Sequence, residues 1–297
     1  MFYNYMLTHE VKSATMARDE LQQSFEKSYE LYNYLLKFII DVTDLQDRYL
    51  DEAKHKFLPS HEDLNPNPKF VDNELVQALR DNEQLQQYIN DHKLSWRDNE
   101  LFLKLMLNKI TSSDIYQEYM SSGISDLDSD CNLWRQLFKR LLIDDDDLLE
   151  ELENESVYWS SDDLDFMGQF VIKTIGRINS GDPNPIMPMY KDDEDSEFGD
   201  KLFSSAIDQQ ELNDSTINHY IDTRHWEADR TALIDRAIML VALAEARGFE
   251  SIPTSVTLNE YIEIAKLYSS PNSSAFINGV LNAAIRDMKN QGIIMKP

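Results

Sequence analysis

Apolar residues recur along this chain at intervals of three and four, and this spacing constrains the fold more than any other feature of the sequence. Such stripes run over residues 21–40, 133–142, 164–178 and 276–288. They place apolar side chains on one face of an α-helix. Residues 231–246 are apolar on most sides, which predicts a central helix enclosed by others. No segment alternates with the period of two typical of a half-buried strand. The sequence therefore predicts an all-α protein.

Proline-rich segments separate groups of these helices. Prolines stand at positions 59, 66 and 68, and others lie within Gly181-Asp-Pro-Asn-Pro-Ile-Met-Pro188. Proline removes a helical donor and restrains the residue before it, so both segments are predicted to be loops or linkers.

A weak repeat connects three tryptophans. Trp96, Trp159 and Trp226 are 63 and 67 residues apart, and each precedes an aspartate. These aspartates are Asp98, Asp162 and Asp229. The pattern predicts helical hairpins in which the indole fills the junction and the aspartate caps the second helix.

Negative charge is concentrated in the middle of the chain. The net charge is -26, but residues 1–58 carry 7 basic and 10 acidic side chains, and residues 224–297 carry 8 of each. A charge of -23 therefore falls on residues 59–223, which would repel nucleic acid, whereas both ends can present a neutral or basic face. The acidic runs 144–147 and 192–195 precede apolar stripes and are predicted to cap helices.

The remaining composition argues for a cytoplasmic protein without catalytic chemistry. The single cysteine, Cys131, gives no disulfide, and the sequence shows neither a secretory leader nor a run long enough to span a membrane. No nucleophile elbow, phosphate-binding loop or dinucleotide fingerprint occurs. We therefore expect no enzymatic activity and no cofactor.

One acidic motif imitates a metal site. The spacing of Asp126, Asp128 and Asp130 matches the start of a calcium loop, but Cys131 and Leu137 stand where that loop needs glycine and glutamate. The histidines form no zinc-binding pair. We expect no bound metal and interpret the motif as an acidic helix cap.

The C-terminal end holds the most distinctive pattern. Thr257 and Glu260 have the spacing of a capping box, which predicts a helix from there to Tyr268. A Ser/Pro/Asn loop follows, with Asn272 or Ser273 as N-cap of the next helix. Such a helix-loop-helix offers N–H donors beside aromatic rings, which suits single-stranded RNA, although an ordinary helix corner would show the same residues.

This end of the chain resembles the NusB family of transcription antitermination factors. The resemblance rests on Val256-Thr-Leu-Asn-Glu260, Ala265-Lys266 and Phe276-Ile-Asn-Gly-Val-Leu281, and it extends back to Trp226. It implies a core of helical bundles built from residues 1–58 and 192–297, interrupted by an acidic insertion of helical hairpins, residues 59–191. The family begins with an arginine-rich turn that this sequence lacks, so we expect Met1 to be an internal start.

The resemblance also implies function and site residues. NusB-like proteins bind boxA RNA, a single-stranded element, together with ribosomal protein NusE, within the RNA polymerase antitermination complex that transcribes ribosomal RNA operons. By position, the residues expected near RNA are Tyr3, Asp235, Tyr268, Asn272, Ser273 and Phe276. Asn272 replaces an acidic residue common in the family, which removes a repulsion from phosphate. The alternative is an acidic scaffold that binds basic ribosomal or transcription proteins and has little affinity for RNA.

Overall fold

The chain is helical throughout the part that a computed structural model describes, residues 14–223 and 232–297. No strand occurs in these two stretches, so the all-α prediction is confirmed. None of the helices they contain is long and apolar enough to cross a membrane. Tyr3, Trp226 and Asp229 lie outside the described residues.

Fourteen α-helices occur in the described residues. In chain order they are α1 (Ala14–Lys54), α2 (His61–Leu64), α3 (Glu74–Asp81), α4 (Glu83–His92), α5 (Glu100–Ser112), α6 (Asp114–Ser121), α7 (Leu127–Leu137), α8 (Asp146–Glu155), α9 (Ser161–Asn179), α10 (Asp193–Asp208), α11 (Gln210–Thr223), α12 (Leu233–Gly248), α13 (Thr254–Tyr268) and α14 (Ser273–Asn290). A 3₁₀ turn, Arg97–Asn99, precedes α5, and a π-helical turn, Phe138–Leu142, follows α7.

The helices form two compact units. The central unit is Ser24–Met189, and the C-terminal unit joins the chain before Ser24 to Tyr190–Pro297. The two units are defined by which residues pack against each other. The division at residues 58 and 191, which the family resemblance implies, stays a prediction.

The core of the central unit surrounds the apolar stretch Leu31–Leu45 of α1. Two tryptophans meet there, because Trp96 stacks on Tyr34 with ring centroids 4.0 Å apart and Trp159 lies 5.6 Å from the same ring. Both indoles are almost fully buried. The predicted packing role of these tryptophans is therefore confirmed.

The capping role predicted for the aspartates after these tryptophans is wrong. Asn99 caps α5, and Ser160 caps α9 in a capping box with Asp163, so neither Asp98 nor Asp162 is an N-cap. Asn99 follows Asp98 by one residue, whereas Ser160 precedes Asp162, which already lies inside α9. Neither Trp-to-Asp pair therefore has the predicted capping geometry.

The acidic runs cap helices as predicted. Asp145 accepts a hydrogen bond of 2.9 Å from the backbone N–H of Leu148 at the start of α8, and Asp192 accepts one of 2.9 Å from that of Asp195 at the start of α10. Each carboxylate also lies at the positive end of its helix dipole. Part of the concentrated negative charge is therefore used to begin helices.

The C-terminal unit is built around α12. Ten of the 16 residues of this helix are buried, and it packs against α10, α11, α13 and α14. The prediction of a central helix at 231–246 is confirmed, with α12 two residues later at each end. Its apolar surface fixes the directions in which α13 and α14 leave the core.

Candidate nucleic-acid interface

The candidate interface is the corner between α13 and α14, which we call the C-terminal corner and define as residues 268–276. The last turn of α13 is closed by a bond of 3.1 Å from the N–H of Ser269 to the carbonyl of Ala265. Asn272 is the N-cap of α14, as predicted, but its side chain makes no capping hydrogen bond. The N–H of Ser273 donates to the carbonyl of Ser270 at 2.9 Å, and the next N–H groups of this 18-residue helix, those of Ser274 and Ala275, have no side-chain cap from Asn272.

The beginning of α13 differs from its prediction. The helix begins at Thr254, after Pro253, and Thr257 is already within it. Proline is well suited to a helix start because its fixed φ angle matches the helix and it has no N–H to satisfy. The capping box predicted from Thr257 and Glu260 is wrong for this reason. The Thr257 side chain is fully buried, and its hydroxyl makes no hydrogen bond.

We expect Thr257→Val to stabilise the protein by about 1 kcal/mol, because valine has nearly the same shape and does not bury an unsatisfied hydroxyl. A capping role would instead make the substitution cost about 1 kcal/mol. Urea denaturation of the full chain measures the difference. The matched control is Thr254→Val, which should destabilise, since the Thr254 hydroxyl donates to the carbonyl of Pro297 at 3.0 Å.

Three of the predicted residues present side chains at the corner. Tyr268 ends α13 and is 42% exposed, and Asn272 is exposed at the start of α14. Phe276, one turn into α14, is half-buried and packs against the core of the C-terminal unit. The corner thus combines an accessible aromatic ring, a free amide group and helical N–H donors.

Two other predicted residues are buried beneath the corner. Asp235, in the first turn of α12, is 5% exposed, and Ser273, the first residue of α14, is 6% exposed. The hydroxyl of Ser273 donates to Oδ2 of Asp235 at 2.8 Å, and that of Ser269 donates to Oδ1. Nothing in the sequence pointed to Ser269 beyond the abundance of serine in this loop.

The corner has little positive charge among its described residues. Lys266 is the nearest cation along the chain, and it pairs with Glu263 at 2.5 Å on the exposed face of α13. Two basic residues of the C-terminal unit, Arg224 and Arg230, lie outside the described part of the chain. The predicted site residue Tyr3 also lies outside it. Stacking and hydrogen bonding are therefore the chemistry that the described corner offers.

The acidic motif in the central unit is structural. Asp126 caps α7 by accepting a hydrogen bond of 2.8 Å from the N–H of Ser129. Asp130 is buried and accepts hydrogen bonds from Tyr119 and Glu74. The described residues contain no group of three potential metal ligands. The interpretation of the motif as a solvated acidic cap is confirmed for Asp126 and is wrong for Asp130, because the Asp130 carboxylate is buried as an acceptor for Tyr119 and Glu74.

Comparison with known proteins assigns the C-terminal unit to a family. The NusB family matches residues 187–286, which include α10 to α13 and most of α14. Residues 1–58 lie outside this match, so the idea that they complete the family core stays a prediction.

Several proteins similar in sequence to this chain are named transcription antitermination protein NusB. The protein from Salinibacter ruber is 37% identical over 110 residues, which are 37% of this chain and 68% of the relative. The protein from Bacillus pumilus is 33% identical over 115 residues, 38% of this chain and 86% of the relative. The protein from Chloroherpeton thalassium is 38% identical over 96 residues, 32% of this chain but only 44% of the relative.

These similarities and the helical bundle around α12 define an all-helical protein of the antitermination class. The chain belongs to the NusB family. Its central unit, apart from the last three residues, precedes the family match.

Proposed function

We propose that this chain is an RNA-binding transcription antitermination factor, without enzymatic activity, that binds boxA-type RNA at the C-terminal corner. It does so together with ribosomal protein NusE, within the RNA polymerase antitermination complex. The observation that carries the proposal is the Tyr268 side chain, 42% exposed at the end of α13, four residues before Asn272, whose side chain does not cap α14. Membership of the NusB family supports the role in antitermination.

The corner suits an unstacked base next to a phosphate. The Tyr268 side chain, 42% exposed, offers aromatic surface for stacking, and base–aromatic stacking contributes about 1–3 kcal/mol per base. The N–H groups at the start of α14 suit a phosphate or a base carbonyl. Asn272 adds a donor and an acceptor without the charge that a carboxylate would place near phosphate.

A basic partner would complete the site. In the described part of the C-terminal unit most cations are already paired, as in Arg18 with Asp200 and Lys201 with Glu197. Arg236 is held by both oxygens of Asp214 at 2.6 Å. Phosphate neutralisation by these residues is therefore limited, and a positively charged protein such as NusE would supply what the corner lacks.

We expect Tyr268→Ala to weaken binding of boxA-type RNA about 5- to 100-fold, as loss of one stacked base predicts. Fluorescence anisotropy with labelled RNA, with and without purified NusE, measures the change. The matched control is Leu267→Ala, because Leu267 is adjacent and 65% exposed but has no aromatic face. Phe276→Leu tests the second ring while keeping most of its packing. Equal binding by wild type and Tyr268→Ala would contradict the assignment of RNA to this corner.

The charge of the central unit supports a second candidate function, an acidic scaffold for basic proteins. Ser24–Met189 contains 33 acidic and 16 basic residues. A scaffold would bind NusE in the absence of RNA, lose that binding steeply as salt rises, and show no affinity for boxA-type RNA at low salt. The same anisotropy series therefore separates the two functions.

A further inference from the structure

Asp235 connects both ends of the loop in the C-terminal corner. Ser269 follows the last residue of α13, and Ser273 is the first residue of α14. The two oxygens of the Asp235 carboxylate accept hydrogen bonds from these two serines, one oxygen from each. One buried carboxylate on α12 therefore holds the end of one helix and the start of the next.

The loop is also tied within itself. The hydroxyls of Ser270 and Ser273 are 2.7 Å apart, and the N–H of Ser273 donates to the carbonyl of Ser270 at 2.9 Å. Ser273 therefore contacts both the loop and the carboxylate. Only Pro271 and Asn272 lie between these tied positions, so the direction of the Asn272 side chain depends on the network.

The Asp235 carboxylate is badly placed to meet RNA or a basic partner. It is 5% exposed, and serine hydroxyls occupy both of its oxygens. The adjacent Arg236 forms its ion pair with Asp214 on α11, and no cation in the described residues forms an ion pair with Asp235. Hydrogen bonds to an ionised acceptor are stronger than those between neutral groups, so the carboxylate can fix the loop without being part of its surface.

We infer that Asp235 is a positioning residue for RNA binding: through Ser269 and Ser273 it holds Tyr268, Asn272 and the first N–H groups of α14 in one arrangement. The inference rests on the proposed function. Rigid placement of the recognition groups lowers the entropy lost on binding. An acidic residue in contact with RNA would instead weaken binding by repulsion.

Positioning and direct contact predict effects of opposite sign for Asp235→Asn. If Asp235 faced RNA, removing its charge would strengthen binding. As a positioning residue it should give binding about 5- to 20-fold weaker, since an amide oxygen accepts less strongly than a carboxylate and the second hydroxyl loses its acceptor. The dependence of log K on log salt should stay that of the wild type, because no phosphate contact is removed.

Two further variants complete the test by anisotropy with boxA-type RNA and NusE. Glu260→Gln removes an exposed carboxylate from α13, and its RNA affinity should be unchanged or slightly higher. Ser269→Ala keeps the charge of Asp235 and should weaken binding about 3- to 10-fold. Combined with Asp235→Asn, it should add little, because both changes act through the same contact. Wild-type or tighter binding by Asp235→Asn, or by Ser269→Ala, would overturn the inference.

Hydrogen exchange of the amides of residues 270 and 272–276 gives a readout that needs no RNA. Asp235→Asn and Ser269→Ala should both accelerate this exchange, while Glu260→Gln should not. If the melting temperature of Asp235→Asn is well below that of the wild type, Ser269→Ala alone is used for the test. Weak binding by Tyr268→Ala with normal binding by Asp235→Asn would refute the positioning role and leave the RNA site intact. Absence of wild-type RNA binding would refute the proposed function, and unchanged exchange would refute the ordering of the loop.

Discussion

Replacement of Trp96 by alanine should lower the free energy of unfolding of the central unit by about 4 kcal/mol, as expected when a large aromatic side chain is removed from a core. Trp96 is 1% exposed and stacks on Tyr34, and its ring also contacts Phe38 and Phe102 with centroids 5.3 and 5.4 Å away. Its Nε1 donates to the carbonyl of Tyr34 at 2.8 Å.

Native-state hydrogen exchange of the amides in residues 31–45 measures this effect, with exchange expected to rise about a thousandfold. The conservative variant Trp96→Phe keeps an aromatic ring against Tyr34 and loses the Nε1 bond, so it should cost only about 1–2 kcal/mol. If Trp96→Ala changed exchange by less than tenfold, the indole would not be the centre of this core.

Replacement of Asp130 by alanine should cost about 2 kcal/mol, because the N–H of Glu74 loses its acceptor and the Tyr119 hydroxyl keeps only the carbonyl of Lys69, 3.0 Å away. Asp130 is 2% exposed. Its Oδ1 accepts from the hydroxyl of Tyr119 at 2.6 Å, and its Oδ2 accepts from the N–H of Glu74 at 2.6 Å. Burial and the neighbouring Asp130 carboxylate raise the pKa of Tyr119, so its hydroxyl stays protonated and available as the donor.

The other two aspartates of the motif are the matched controls for urea denaturation. Asp126→Ala should cost about 1 kcal/mol as the loss of an N-cap. Asp128→Ala should cost less than about 0.5 kcal/mol, because Asp128 is exposed and its partner Asn179 remains solvated. A calcium site would give three similar losses that appear only with calcium present. Equal losses without calcium would contradict the separate roles that the structure gives these residues.

The C-terminal corner shows how far sequence could go for the candidate site. The positions of Tyr268, Asn272 and Phe276 follow from helix spacing and from the family resemblance, and the structure presents them at one corner. The burial of Asp235 did not follow, because its serine partners lie 34 and 38 residues away along the chain. A sequence pattern identified the residues but not which of them lies beneath the surface.

Sequence alone determined the all-α class, the central helix and the helix starts at Asp126, Asp145, Asp192 and Asn272, because apolar periodicity and N-capping act within one or two turns. It also determined membership of the NusB family through the motifs of α13 and α14. Tertiary structure decided that Asp130 is buried whereas Asp126 and Asp128 are exposed, and that Trp96 and Trp159 share Tyr34. Each of these depends on contacts between distant segments, where burial changes the energy of a side chain more than its local spacing does.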